Sequence, residues 1–170
     1  MSLIPDATGP AGGFLTDSDI TEVLPLIFRE GSYALDHVRH ASYQLRLDEV
    51  KLCSRSESAH EGTQVFEEFQ QLRWRKENGE EFVDIKRRQV ALLYSREFFT
   101  FPHNALGFTV GRGLLFGLGL TPENTYVDPG FSGTLYITIV NNNENTIRLC
   151  RGMSISRSLC VRRDETIPCR

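Results

Sequence analysis

The chain lacks the long apolar segment that would cross a membrane. It has 170 residues, and no run of about 18 apolar residues occurs among them. Its first residues also lack the basic start and apolar core of a secretory signal. Hydrophobic residues make up 40% and charged residues 24% of the chain, which is typical of soluble globular proteins. We therefore expect a cytoplasmic protein with no membrane partner, built around one main domain.

Cysteine and histidine are scarce, and their spacing is not typical of a metal site. No two cysteines form a C-x-x-C pair. Two histidines lie three residues apart, but nothing nearby completes them as a set of converging ligands. We therefore predict reduced cysteines and no metal held by the protein alone. The residues concerned are Cys53, Cys150, Cys160, Cys169, His37, His40, His60 and His103.

The sequence also lacks a strong charge of one sign. A net charge of −3 argues against a general nucleic-acid binder. The basic run of residues 86–88 is interpreted as a solvated turn. A second basic group has two open interpretations, as a phosphate or partner surface or as the exposed face of a barrel. It comprises Arg148, Arg151, Arg157, Arg162 and Arg163.

One helix is predicted near the start of the chain. Residues 1–13 are rich in Gly and Pro and are expected to form a flexible leader. The following segment, TDSDITEVL, offers Thr16 or Ser18 as the N-cap, with acidic residues in the first turn. Pro25 is expected to end or bend this helix, because proline cannot donate to the preceding turn.

The remainder of the chain is predicted to be mainly β. ASYQLRLDEVKL alternates as a half-buried strand does, and further strands follow at QVALLYS, GFTVG, TLYITIV, TIRL and SISRSLCV. Asn78-Gly79 predicts a tight hairpin, because both residues tolerate positive φ. Residues 53–64 are polar and are interpreted as a loop. Many short strands with few helices favour a barrel, a jelly roll or a sandwich.

Five segments, in order, resemble the dCTP deaminase branch of the dUTPase superfamily. They are FLTDSDI, VRHASYQLRLDEV, FVDIKRRQVALLYSREFFTFPHNALGFTVGR, VDPGFSGTLYITIVN and IRLCRGMSI. The resemblance covers residues 14–161 and leaves 162–170 as a short C-terminal tail. It implies a distorted β-barrel or jelly roll that forms a homotrimer, with sites for pyrimidine deoxynucleoside triphosphates between subunits.

The resemblance also indicates that catalytic side chains are missing. The family glutamate that moves protons falls on Thr138, whose hydroxyl does not titrate near neutral pH. The loop serine falls on Gly113 and the second loop arginine on Gly117. The segment between Leu120 and Asp128 is two residues shorter than in the family. These substitutions predict a pseudoenzyme without deaminase activity.

Two side chains of the expected site are retained. Arg112 matches the loop arginine, and Asp128 stands where the dUTPase branch keeps the aspartate that orients water. Asp128 is the one candidate catalytic residue for hydrolysis with Mg²⁺, which would accompany bound phosphates. Both have a structural alternative: Asp128 as part of the Asp-Pro-Gly turn, and Arg112 as partner of a carboxylate at a subunit contact.

Other positions argue against the hydrolase. The dUTPase branch has an aspartate where Gln44 stands, and its late glutamine motif falls near Arg157. Phe131 takes the aromatic place after the turn. The short tail leaves little room for the segment that closes over nucleotide, which weakens electrostatic catalysis.

Strand alternation assigns two faces to residues 134–140. Leu135, Ile137 and Ile139 are predicted to lie in the core, because side chains alternate along a strand. The opposite face is predicted to meet the ligand and comprises Thr134, Tyr136, Thr138 and Val140. The predicted nucleotide-binding set is therefore Arg112, Gly113, Asp128, Phe131, Tyr136 and Thr138.

Three hypotheses remain open. The first is a homotrimeric deoxynucleotide-binding or interaction domain without deaminase activity. The second is an active enzyme, either a hydrolase that uses Asp128 and Mg²⁺ or a deaminase in which Glu123 reaches the pocket if its loop folds inward. The third is a structural trimerisation domain without a ligand.

Overall fold

The computed structural model describes residues 13–55 and 66–162. Strands dominate this part of the chain, which confirms the predicted mainly-β class. In chain order the elements are β1 (Gly13–Phe14), α1 (Asp17–Ile27), a 3₁₀ turn (Leu35–His37), β2 (Val38–Arg39), β3 (Ser42–Arg55), β4 (Phe66–Gln71), β5 (Arg75–Glu77), β6 (Glu80–Ile85), β7 (Val90–Thr100), β8 (Ala105–Gly111), α2 (Gly113–Gly117), β9 (Leu120–Pro122), β10 (Thr125–Val127), β11 (Ser132–Asn141), β12 (Ile147–Cys150) and β13 (Ser154–Arg162).

Helix α1 begins at the predicted N-cap. The Thr16 backbone N–H donates to Asp19 Oδ2 at 2.9 Å, and the Thr16 hydroxyl donates to the same oxygen at 2.6 Å. This arrangement satisfies a polar group that the helix itself leaves unpaired. Neither helix in the described part of the chain is long and apolar enough to cross a membrane. Helix α1 buries an apolar stripe against the sheet. The buried residues are Ile20, Val23, Leu24 and Ile27.

Pro25 was predicted to end or bend the helix; it does not end it, since α1 continues through Ile27, and the bend stays a prediction. Pro25 lies on the exposed side of α1. Proline removes only its own hydrogen bond, and the Phe28 N–H still donates to the Leu24 carbonyl at 2.9 Å. Burial of Ile27 and Phe28 then stabilises the last turn against the cost of proline.

Most strands form one curled sheet that gives the domain its half-barrel shape. Its main path runs β10-β8-β13-β3-β7-β11-β9. The long strand β3 joins the two halves, because its residues 43–46 pair with β13 and its residues 47–53 pair with β7. The two edge strands, β9 and β10, are joined by Glu123 and Asn124. The Gly111 N–H donates to Asn124 Oδ1 at 2.9 Å, which joins this connection to the end of β8.

A smaller sheet of β12, β6 and β5 contains the predicted hairpin. Asn78 and Gly79 have φ values of 52° and 88° and connect β5 to β6, as predicted. The basic run is an exposed turn, also as predicted, and Arg88 within it has a φ of 62°. The predicted loop at 53–64 was wrong at its start, because β3 pairs with β7 and β4 and continues through Arg55. Residues 56–64 lie outside the described part.

The described part of the core contains a buried ion pair. Glu97 is fully buried, and its Oε1 lies 2.6 Å from Arg46 Nε. Glu97 Oε2 also accepts from the Arg46 backbone N–H at 2.9 Å, and Arg46 Nη2 donates to the Ser32 carbonyl at 3.0 Å. The strand pairing is irregular near this site. β3 has an extra residue between Leu47 and Glu49 in its pairing with β7, and β7 has extra residues opposite Thr134 and Tyr136 in its pairing with β11. Such bulges allow a polar side chain to turn inward.

Candidate functional site

A cavity of about 340 Å³ lies between β10 and β11, two strands that do not pair with each other. One side comes from the β9–β10 connection, β10 and the following turn, and the other side comes from β11. The lining residues are Glu123, Thr125, Tyr126, Asp128, Phe131, Leu135, Tyr136, Ile137 and Thr138. Four of the six predicted nucleotide-binding residues therefore come together here.

The two faces of β11 are arranged as the alternation predicted. Leu135, Ile137 and Ile139 are buried, whereas Tyr136 is 46% exposed and Thr138 is partly exposed. Thr138 thus presents a hydroxyl to the cavity at the position where the resemblance implies a glutamate. A hydroxyl donates or accepts a hydrogen bond, but it does not exchange a proton at neutral pH as a carboxylate does.

Asp128 begins a turn and also faces the cavity. The Phe131 N–H donates to the Asp128 carbonyl at 3.0 Å, and Gly130 has a φ of 81°, which favours glycine. A Cβ at Gly130 would also collide with the His103 ring. Within the described residues the Asp128 carboxylate accepts no hydrogen bond from the turn, although the predicted structural role needs one. Its exposed oxygens are available to a ligand.

Glu123 enters the same cavity through strand pairing. Pro122 pairs with Ile139, and one residue further the Glu123 N–H donates to the Thr138 carbonyl at 2.8 Å. Residues opposite one another in an antiparallel pair place their side chains on the same face. Glu123 and Thr138 therefore face the cavity together. Glu123, which the sequence offered only as an alternative site residue, thus lines the cavity.

Aromatic rings border the cavity and are supported from behind. The Tyr136 ring lies 5.5 Å from the Tyr94 ring, and Lys51 Nζ lies 4.4 Å from the centre of Tyr94. On the other side Phe131 contacts Phe99 edge to face at 6.2 Å. Such contacts restrict the rings, so that Tyr136 and Phe131 offer preformed surfaces to a planar ligand.

Arg112 and Gly113 do not line this cavity. They lie at the start of α2, a five-residue helix in the segment predicted to be a glycine-rich loop. The expectation of a single helix was therefore wrong. Burial of Leu115 stabilises this short turn, and the Leu118 N–H donates to the Leu114 carbonyl at 3.1 Å. The sequence did not predict this helix, because the glycines in it have low helix propensity.

The charges in and around the cavity are unbalanced. Glu123 and Asp128 are its two ionisable carboxylates, and no Lys, Arg or His is among the described residues that line it. Arg112 forms no ion pair within the described residues. No group of three or more possible metal ligands of the Cys, His, Asp and Glu types occurs in that part of the chain. The lining of one chain therefore has nothing to neutralise a phosphate.

Among the described terminal arginines, Arg148, Arg151 and Arg157 do not line this cavity. Arg148 pairs with Glu77 at 2.8 Å, and Arg151 pairs with Asp48 at 2.9 Å. Arg157 lies opposite Gln44 in the pairing of β13 with β3, and neither lines the cavity. The Arg162 side chain and Arg163 lie outside the description. Cys53, Cys150 and Cys160 are free thiols, and Cys169 is not described.

Large apolar side chains are exposed around β8 and α2. Val110 is 42%, Leu114 52% and Phe116 72% exposed. Tyr126 is 63% exposed and packs edge to face on Phe108 at 5.0 Å. Exposed apolar side chains gathered in this way are typical of interaction surfaces.

Comparison with known proteins identifies the family. A family model described as "dCTP deaminase-like" matches residues 14–160. The chain belongs to the dCTP deaminase-like family. A dUMP-forming dCTP deaminase of Aquifex aeolicus is 38% identical over 87 residues, which are 51% of this chain and 48% of that protein. A dCTP deaminase of Pyrobaculum aerophilum is 42% identical over 71 residues, which are 42% of this chain and 40% of that protein.

The fold of this dCTP deaminase-like chain also matches a solved structure. The crystal structure of 2'-deoxycytidine 5'-triphosphate deaminase from Agrobacterium tumefaciens gives a TM-score of 0.68 at 19% identity. The match covers 89% of this chain and 49% of that chain. The similarity supports the dUTPase-like barrel fold predicted from the sequence. The chain spans about half the length of the relatives it matches.

Sequence reasoning missed part of the lining. Thr125 and Tyr126 belong to a three-residue strand too short to be recognised by alternation. Leu135 and Ile137 were assigned to the core, where they are buried, but they also contact the cavity beside the bulge opposite β7. In the sequence, only the turn residues around Asp128 predicted that the chain changes direction beside this cavity.

Proposed function

We propose that this domain binds pyrimidine deoxynucleotides as a cytoplasmic homotrimer without deaminating them. The observation that carries the proposal is Thr138, which faces the cavity where the family resemblance implies the proton-transferring glutamate. Deamination needs water activation and protonation of the departing ammonia. Gly113 and Gly117 supply no serine or arginine to assist these steps.

The cavity suits binding better than chemistry. Tyr136 and Phe131 offer ring surfaces to a base, and the hydroxyls of Thr125 and Thr138 offer hydrogen bonds. Pockets for small ligands combine such apolar surfaces with a few fixed polar groups. The names of the relatives indicate a pyrimidine deoxynucleoside triphosphate as the ligand class.

The trimer supplies what the cavity of one chain lacks. A phosphate group needs positive charge, and Arg112 is a retained arginine with no carboxylate partner in the described residues. In a trimer, Arg112 of one copy would reach the cavity of its neighbour. Association would also cover Val110, Leu114 and Phe116, whose exposure favours a partner surface.

Magnesium would enter with the phosphates rather than occupy a site built by the protein. Mg²⁺ is commonly held by one or two carboxylates together with substrate phosphates, and Asp128 and Glu123 fit that role. When bound, Mg²⁺ neutralises phosphate charge. Asp128 would orient the ion, and Thr138 would hold the ligand by hydrogen bonding.

Thermal unfolding with dCTP, dUTP or dATP, each with Mg²⁺, tests this proposal. A ligand at about 100 times its Kd raises native-state stability by about 2.7 kcal/mol, so pyrimidine nucleotides should raise Tm. Sedimentation should give three times the 19.3 kDa chain mass. No Tm shift with any nucleotide would overturn the binding proposal and favour a structural trimerisation domain.

A second candidate is an active enzyme that uses Asp128 with Glu123. Their presence in one cavity favours it, because two carboxylates can divide proton transfer and ion binding. Anion-exchange chromatography of dCTP or dUTP after incubation separates the candidates. Formation of dUTP, dUMP or pyrophosphate, abolished by Asp128→Asn or Glu123→Gln, would replace the first proposal by the second.

A further inference from the structure

We propose that a second cleft of the domain binds small polar zwitterions, which are ligands with one anionic and one cationic group. This cleft has a volume of about 590 Å³ and shares no lining residue with the cavity between β10 and β11. It is therefore separate from the site of the proposed nucleotide function. Its lining residues are Leu47, Asp48, Glu81, Arg96, Arg151 and Gly152.

Two irregularities of the main sheet bring charged side chains into this cleft. Asp48 is the extra residue between Leu47 and Glu49 in the pairing of β3 with β7. Arg96 is the middle one of three β7 residues that lie opposite Leu135 of β11. Bulges of this kind redirect side chains and are frequent beside functional sites. The two bulges thus place an acid and a base in one cleft.

Arg96 offers this cleft a cation without a partner. The residue is exposed, and its guanidinium group forms no ion pair or hydrogen bond within the described residues. The next residue, Glu97, points inward and pairs with Arg46 instead. A guanidinium group presents a planar set of donors that matches a carboxylate or a phosphate. Arg96 therefore provides a place for the anionic group of a ligand.

Arg151 holds the two acids of the cleft in place. Its Nη2 lies 2.9 Å from Asp48 Oδ1, and its Nη1 lies 3.2 Å from Glu81 Oε2. The Trp74 indole N–H also donates to the Asp48 carbonyl at 3.1 Å, which fixes the backbone there. Asp48 Oδ2 and Glu81 Oε1 accept no hydrogen bond within the described residues. Because an ionised carboxylate accepts at both oxygens, these atoms are available to an ammonium group.

The balance of charges determines the class of ligand. Two arginines and two carboxylates occur among the described lining residues, so their charges cancel. A polyanion such as a nucleoside triphosphate would be repelled by the two carboxylates, and a cation alone would leave Arg96 unpaired. A zwitterion satisfies both ends, since its anionic group pairs with Arg96 and its ammonium group with a free carboxylate oxygen. Leu47 is the one apolar side chain among these residues, which favours a polar ligand.

Titration with glycylglycine tests this inference. Two further probes each lack one charge: its N-acetyl form has no ammonium group, and its C-terminal amide has no carboxylate. Heteronuclear NMR of the backbone amides measures weak binding and locates it. We expect glycylglycine to shift the amides of the lining residues in a saturable way. Each blocked probe should bind about tenfold more weakly, because it loses one charge-assisted hydrogen bond.

Arg96→Gln removes the unpaired cation and should leave the fold intact. This variant should bind glycylglycine and its amide with equal affinity, since neither carboxylate nor amide then meets a guanidinium group. The matched control is Arg87→Gln, which replaces an exposed arginine that pairs with Glu144 at 2.8 Å and does not line the cleft. The control should keep the tenfold preference of wild type for glycylglycine over the amide.

Three results would each overturn the inference. The first is the absence of a saturable shift at the lining amides. The second is equal binding of glycylglycine and its N-acetyl form, which would indicate a simple anion site. The third is an unchanged preference for glycylglycine over the amide in Arg96→Gln. Each leaves the proposed nucleotide function standing, because that function depends on other residues.

Discussion

The backbone N–H of Glu123 donates to the carbonyl of Thr138 at 2.8 Å. This bond joins the connection between the two edge strands to the strand that, in the family resemblance, bears the catalytic glutamate. It explains how a cavity can keep a carboxylate while the catalytic position holds a threonine.

Restoring the missing side chains should restore deamination. A Cβ added at Gly113 or Gly117 meets nothing within 4 Å, so serine and arginine can be accommodated there. We expect the triple variant Gly113→Ser, Gly117→Arg, Thr138→Glu to convert dCTP at a detectable rate. Single variants should remain inactive, because catalytic groups that act together have non-additive effects.

The matched control for this triple variant carries Gln instead of Glu at position 138. It has the same size but no titratable proton. Ammonia release in a coupled assay distinguishes the two proteins. Equal release from the glutamate and glutamine variants would contradict the assignment of position 138 as the place of proton transfer.

Removing the Tyr136 ring should weaken nucleotide binding. Stacking of a base on an aromatic ring contributes about 1–3 kcal/mol, so Tyr136→Ala should raise the Kd for dCTP by about tenfold or more. Tyr136→Phe keeps the contact with Tyr94 and should leave the Kd nearly unchanged. Calorimetric titration measures both. Unaltered binding by Tyr136→Ala would exclude this ring as the stacking surface.

Breaking the buried ion pair should strongly destabilise the fold. Glu97→Gln leaves Arg46 without its charge partner in the interior, a change that typically costs about 3–5 kcal/mol. The matched control is Glu49→Gln, which disrupts the more exposed pair with Lys51 and should cost about 1 kcal/mol or less. Denaturant unfolding gives both free energies. Equal losses would show that the Arg46–Glu97 pair has no special role.

The helix cap predicts a pH dependence. Hydrogen bonds from the Thr16 hydroxyl, and then from its backbone N–H, lower the pKa of Asp19 below its ordinary value of 3.8. The stabilisation is present above the unfolded pKa and is lost as the pH falls through the lower folded pKa. We therefore expect the stability difference between wild type and Asp19→Asn to shrink below about pH 4.

Equilibrium unfolding of wild type, Asp19→Asn and the control Glu22→Gln over a series of acidic pH values measures this effect. Glu22 lies on the exposed side of the same helix. A pH-independent difference for Asp19→Asn would show that the ionised carboxylate does not stabilise the cap.

Local patterns in the sequence predicted much of the fold. Alternation along β11 assigned Ile137 and Ile139 to the core, and Asn78-Gly79 fixed a hairpin by its backbone preferences. Pro25 does not end α1, because one missing hydrogen bond costs less than the burial of the following turn stabilises. Helix α2 was missed because tertiary packing of Leu115, rather than propensity, stabilises it.

Long-range relationships had no signal in a single sequence. Arg46 and Glu97 are 51 residues apart, and only the sheet brings them together. Of the candidate site, the residues predicted from the sequence belong to β11 or to the turn before it: Asp128, Phe131, Tyr136 and Thr138. Its opposite side depends on the return of β10 to the edge of the barrel, which requires the complete topology.

Equilibrium dialysis of labelled dCTP with Mg²⁺, followed by chromatography of the retained nucleotide, tests the central claim most directly. The account predicts that the protein retains dCTP and that the recovered label remains dCTP. Recovery of the label as dUTP or dUMP would contradict the absence of deaminase activity, and absence of retention would contradict nucleotide binding.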